Sequence, residues 1–192
     1  SKARGRFKMH RQNKLFLAMF SFFVLAGAML GPIYAIFVKE IGGDILAAGS
    51  AWAIFMIVSG IGILFMGRLQ DKFKSNKNFI IWGYLFTSLA YLGYFFVSNV
   101  IQLFLVQVLL GVGEMIVVPA RDSFYTKYLD KKKMASQWAA WESLWFIIAG
   151  IAALLGAFIA NKFGFKSLFL TMFFLSLLGL IISTQLKDKN EH

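Results

Sequence analysis

Residues 15–38 read LFLAMFSFFVLAGAMLGPIYAIFV, twenty-four positions without one charged side chain. A helix needs about 20 apolar residues, at about 1.5 Å rise each, to cross the roughly 30 Å of hydrocarbon in a bilayer. Five more runs of that kind follow, at 47–66, 79–98, 101–120, 139–160 and 168–186. Lipid offers the backbone no water to bond, so runs this long satisfy their N–H and C=O groups as helices. Barrel strands would be about half as long and would alternate in polarity. The first run is too long for a signal-peptide core, and Gly31-Pro32-Ile33-Tyr34 leads on into apolar residues where a cleavage site would need small ones. The sequence therefore predicts an all-α membrane protein of six transmembrane helices, a single domain over 1–192 with short tails at 1–14 and 187–192.

Composition agrees. The chain of 192 residues is 59% hydrophobic and 15% charged, with a mean hydropathy of +0.69, whereas soluble domains carry about 25% charged residues. It holds no cysteine, which excludes disulfides, thiolate metal sites and thiol nucleophiles. The net charge of +11 is distributed by topology. Lys2, Arg4, Arg6, Lys8, Arg11 and Lys14 precede the first run. The segments after the second, fourth and sixth runs add Arg68, Lys72, Lys74 and Lys77, then Arg121, Lys127 and Lys131 to Lys133, then Lys187 and Lys189. That side carries 17 basic residues against 3 on the other, Lys39, Lys162 and Lys166. The positive-inside rule then places both termini in the cytoplasm of a cell that carries the chain in its plasma or inner membrane. The basic N-terminus serves as a topology anchor beside anionic lipid and not as a nucleic-acid arm.

The loop after the second run is GRLQDKFKSNK, Gly67 to Lys77. It resembles the loop signature of the major facilitator superfamily, whose pattern is roughly G-x-L-x-D-R-x-G-R-[RK]: Gly67, Leu69 and Asp71 match, Lys72 stands for the Arg, and the second Gly is missing. GPIYAIFVKEIGGD at the end of the first run and PARDSF at the end of the fourth extend the likeness over the chain's topology. The resemblance implies one six-helix half, built from two three-helix repeats, of a transporter that normally has twelve helices. It implies a conformational latch of Gly67, Asp71 and Lys72, with Arg121 as ion partner of Asp71. The equivalent acid in the family meets a helix of the opposite half, whose counterpart here is the region of Ser136 in a second copy. A carboxylate facing a helix N-terminus gains about 0.3–1 kcal/mol from the macrodipole.

Pro32 and Pro119 stand 17 and 18 residues into the first and fourth runs. Interrupted helices at matching places in repeated units point to a transporter's binding site. Gln107, Gly111, Glu114, Val118 and Arg121 recur at three- and four-residue steps, so they share one face of the fourth helix. Glu114 lies near mid-membrane, where an ionised carboxylate costs several kcal/mol without a partner or water. With Tyr34 these residues are the candidate solute and proton path, and Glu142 is a second intramembrane acid. Small residues at Gly27, Gly31, Gly111, Ala152 and Gly156 signal close helix packing. Trp138, Trp141 and Trp145 read as interfacial anchors, and the aromatic third and sixth helices read as lipid-facing.

His10 and His192 lie in the tails, so histidine-dependent proteolysis and clustered metal sites have no basis, and no GxxxxGK[ST] loop is present for ATP. Neither metal nor cofactor is expected; an ion gradient supplies the energy. The sequence thus points to a secondary transporter of a small solute, not an enzyme, working by alternating access as a parallel homodimer. Alternatives are the N-terminal half of a twelve-helix transporter and a non-transporting assembly or regulatory subunit. The start at Ser1 and the short polar tail after Leu186 favour a complete chain over a fragment. The family's antiporter Gly-Pro pair is absent from AGIAALLGAFIANKFG, which gives exchange-type export no support.

Overall fold

The computed structural model describes residues 11–73 and 75–187. Lys2, Arg4, Arg6, Lys8, His10, Lys74, Lys189 and His192 lie outside the described residues. The helices are α1 (Arg11–Ala28), α2 (Tyr34–Glu40), α3 (Ile45–Gln70), α4 (Lys77–Phe96), α5 (Val100–Lys127) and α6 (Met134–Ser183). Five helical segments are long and apolar enough to cross a membrane. Two begin on side-chain caps: Asp44 Oδ1 accepts from the Ala47 N–H at 2.8 Å, and Asn99 Oδ1 from the Gln102 N–H at 3.0 Å.

The 50 residues of α6 are two limbs, 134–163 and 165–183, because Gly164 takes φ 83° and ψ 167°, a conformation open to glycine and strained for other residues. The expected outer loop at 161–167 is reduced to this one residue, since its neighbours Lys162, Phe163, Phe165 and Lys166 are all compatible with helix. Contacts show the chain reversing there. The first limb runs alongside α1 in the same direction, with Trp141 beside Phe16 and Phe20 (ring centroids 4.9 and 4.5 Å) and Gly156 against the backbone of Met29. The second limb returns, with Phe169 at Phe37 (4.8 Å) and the Lys187 N–H donating to Gln12 Oε1 at 3.1 Å. By the same reasoning α3 runs with α5, since Gly62 meets Met115 and Gly67 faces Pro119. In turn α4 runs against α5, since Gly83 meets Val117, Gly113 meets Thr87 and Gly93 meets Val106.

Glycines set these distances. A Cβ at Gly83 would lie 2.6 Å from Val117 Cβ and one at Gly113 2.9 Å from the Thr87 backbone nitrogen, so α4 and α5 touch backbone to backbone. Two apolar clusters fill the bundle. One, at the end carrying the basic loops, holds Phe16, Phe124, Tyr125 and Trp141; the other, at the opposite end, holds Phe37, Tyr94, Phe169 and Met172.

Three expectations are corrected. The third run, α4, faces lipid on one side only: Trp82, Leu89 and Phe96 are exposed, but 44% of its apolar window is buried, against 11% for α3 and for α6, and Tyr84, Tyr91 and Tyr94 point inward. The sixth run, the second limb of α6, buries Phe169 and Met172 and exposes only part of its surface, at Phe174 and Leu178. Aromatic content alone does not separate lipid-facing from cavity-facing side chains. Trp141 likewise is a core residue at 4% exposure, not an interfacial anchor.

Candidate functional site

A cavity of about 410 Å³ lies among α1, α3, α4, α5 and α6. Its walls are aromatic, with Phe23, Trp52, Tyr84, Tyr91 and Trp145 among them, and its charged groups are Glu114 and Arg121, both from α5. These two lie seven residues apart, about 10 Å along the helix axis, on the stripe that the sequence pattern marks. Glu114 is half-buried and makes no hydrogen bond or ion pair among the described residues. Arg121 donates through Nε to Asp122 Oδ1 at 3.2 Å and lies over the faces of Phe20 and Trp141, at 5.4 and 5.7 Å from the ring centroids. Stacking of this kind suits guanidinium and leaves the rest of its fork toward the cavity.

Gln107 forms the opposite end of the stripe. Its amide donates from Nε2 to Tyr34 Oη, while its Oε1 is buried without a partner. Tyr34 opens α2 and lines the cavity, with Trp52 edge-on at 6.1 Å. The structure therefore brings Tyr34, Glu114 and Arg121 to one cavity, with Gln107 buried behind Tyr34. It does not gather Glu142, which is exposed and has no ion pair among the described residues. Nor does it pair Asp71 with Arg121: Asp71 caps the end of α3, exposed and without an ion pair among the described residues, beside an exposed Lys72, while Arg121 is held inward by Asp122 and its aromatic bed.

The two prolines act differently. Pro32 breaks the first run, within a 3-10 turn at Gly31–Ile33 that separates α1 from α2. Pro119 does not break the fourth run, for α5 is continuous through it. Gln70 explains part of this. Its Nε2 donates at 2.7 Å to the Ile116 carbonyl, in the turn that Pro119 deprives of an N–H. Asn76 Nδ2 donates to the Ala120 carbonyl at 3.1 Å, and Lys127 Nζ donates to Asn76 Oδ1 at 2.9 Å. The Gly67–Lys77 loop thus grips α5 through two neutral amides, Gln70 at a position the pattern leaves free and Asn76 where it calls for a basic residue.

A family model described as Major Facilitator Superfamily matches residues 15–191. The chain belongs to the major facilitator superfamily. Among its relatives, the uncharacterized MFS-type transporter MJ1560 of Methanocaldococcus jannaschii is 27% identical over 160 residues, covering 83% of this chain and 41% of that protein. The uncharacterized MFS-type transporter YitZ of Bacillus subtilis is 26% identical over 153 residues, covering 75% of this chain and 87% of YitZ. The multidrug resistance protein MdtG of Escherichia coli is 23% identical over 168 residues, covering 83% of this chain and 41% of MdtG. This superfamily chain thus spans less than half of MJ1560 and MdtG and most of YitZ. It is a multi-pass membrane protein, and no enzyme family is indicated.

Proposed function

We propose that the chain is a secondary active transporter of a small solute, that it crosses the membrane six times with its basic end and both termini in the cytoplasm, and that two parallel copies form the working unit. The observation that carries this is the position of the cavity mouth. Trp52 of α3 and Trp145 of the first limb of α6 both line the cavity and remain 46% and 41% exposed, so its open side lies between these two helices. They are also the barest in the bundle, with Ile57, Ile61, Phe65, Phe146, Ile147 and Leu154 each about 60% exposed or more. A lone copy would open Glu114 and Arg121 toward hydrocarbon, where charged groups are expensive. A second copy related by a two-fold axis along the membrane normal covers the mouth, setting α3 of one chain against the first limb of α6 of the other.

Alternating access follows as rocking of the two copies about the shared cavity, with Glu114 as the proton-coupling carboxylate. Aromatic walls and a carboxylate suit an apolar or cationic solute. The 41% coverage of MJ1560 and MdtG favours a second reading, in which the covering half belongs to the same polypeptide; the 87% coverage of YitZ favours the separate copy.

The test begins with thermal stabilisation of the purified chain across sugars, amino acids, organic anions and organic cations, since a ligand of the folded state raises its melting point. The stabilising compound is then followed into proteoliposomes under a pH gradient. Gradient-driven movement in the wild type that is lost in Glu114→Gln supports the reading; undiminished movement in that variant removes the proton-coupling role.

A further inference from the structure

Two groups in the cavity wall hold hydrogen-bond donors that the described residues do not use. Tyr84 of α4 is 2% exposed, its ring stacks on Phe23, and its hydroxyl has no partner among the described residues. Arg121 of α5 gives Nε to Asp122 and lies over Phe20 and Trp141, which leaves both Nη groups without an acceptor among the described residues. Both residues line the cavity. The helix register brings them together. Gly83 packs on Val117, so Tyr84 starts about one turn from the level of Arg121. Helical side chains lean toward their own N-terminus, which in antiparallel helices sends Tyr84 toward the basic end and Arg121 away from it. Arg121 is also the charge that acts most strongly on Tyr84.

A buried hydroxyl without a partner is costly to keep, and a guanidinium fork beside it matches the two oxygens of a carboxylate. We propose that this corner of the cavity is an anion subsite, in which Arg121 and Tyr84 hold the carboxylate of a monocarboxylate solute with an apolar body. Asp122 already offsets part of the Arg121 charge, so a dianionic group finds too little positive charge there. Glu114, about 10 Å away along α5, opposes a second anion at the other end of the cavity. Between them stand the aromatic walls, in a cavity of about 410 Å³, a volume suited to a small molecule. The far end of the solute is therefore apolar or cationic. The inference rests on the transport reading only in calling the ligand a solute.

The probes are 3-phenylpropanoate, its neutral amide 3-phenylpropanamide, and 3-(4-carboxyphenyl)propanoate, which adds a second carboxylate. Each is titrated against the full chain in lipid nanodiscs, and the dose dependence of the melting temperature gives its affinity. The monocarboxylate should bind at least about tenfold more tightly than the amide, the effect of one bond to a charged group, and more tightly than the dicarboxylate. Tyr84→Phe should weaken the monocarboxylate about tenfold while raising the melting temperature of the ligand-free chain, because the unpartnered hydroxyl is gone. A tyrosine with a purely structural role would not show this opposition. Arg121→Gln should abolish the preference for carboxylate over amide. The proposal is overturned if the amide binds as tightly as the monocarboxylate, if none of the probes binds, or if the preference survives in Arg121→Gln. It is also overturned if Tyr84→Phe leaves the affinity within twofold of the wild type, and that variant decides alone should Arg121→Gln not fold. Carboxylate binding without gradient-driven movement in proteoliposomes would remove the transport reading and leave the subsite standing.

Discussion

Pro32 and Pro119 occupy matching places in the two three-helix units, and the bundle treats them in opposite ways. At Pro32 the turn is exposed, Gly31 has open space around it, and the chain closes a 3-10 turn with the Ile33 N–H donating to the Leu30 carbonyl at 3.1 Å. At Pro119 the helix continues, and beside the Met115 carbonyl that the ring leaves without its N–H, a side chain from another helix donates to the next carbonyl, that of Ile116. A proline's effect in a membrane helix is thus decided by its neighbours as much as by its own missing N–H. One unit has a broken first helix, and the other a continuous helix gripped at its basic end. The segment after the break carries Tyr34, and the continuous helix carries Glu114 and Arg121.

The largest effect on this contrast is expected from Gln70→Leu. It removes the side-chain donor that reaches the Ile116 carbonyl beside the proline, a loss of up to about 1.5 kcal/mol, which a fall in melting temperature in detergent measures. Pro119→Ala restores the helix's own N–H, so adding it to Gln70→Leu recovers part of that fall; full additivity of the two changes would show that Gln70 has nothing to do with the proline. Asn76→Ala should cost about 1 kcal/mol by the same assay, since its bonds to Ala120 and Lys127 lie nearer the polar end, where water substitutes more readily. Gly67→Ala should have the smallest effect. The nearest atom to the new methyl is Pro119 Cβ at 4.0 Å, an ordinary contact. Helix propensity alone would then raise stability by up to about 1 kcal/mol. A stable Gly67→Ala chain that fails to transport would locate that glycine's purpose outside its own six helices.

Much of this architecture is visible in the sequence. The charge-poor runs become the long helices of the bundle, and Glu114 and Arg121 of the α5 stripe line its cavity. What escapes is whatever depends on partners. Tyrosine is equally at home against lipid, in a core or beside a polar cavity, so α4 could not be placed by its own residues. Gln70 occupies a position that the loop pattern leaves free, and its purpose appears only when α5 lies beside it. Gly164 sits in a segment of helix-compatible residues, where one positive φ angle does the work of a whole loop.

The central claim, that a second copy closes the cavity, is tested most directly by cross-linking between chains. The protein has no cysteine of its own, so chains carrying Asp71→Cys can be mixed in the membrane with chains carrying Ser136→Cys and treated with a short bifunctional thiol reagent. The account predicts a mixed species at twice the 21.6 kDa of one chain, formed only when both variants are present. A chain that remains single under these conditions, while native mass measurement in mild detergent also finds one copy, would contradict it.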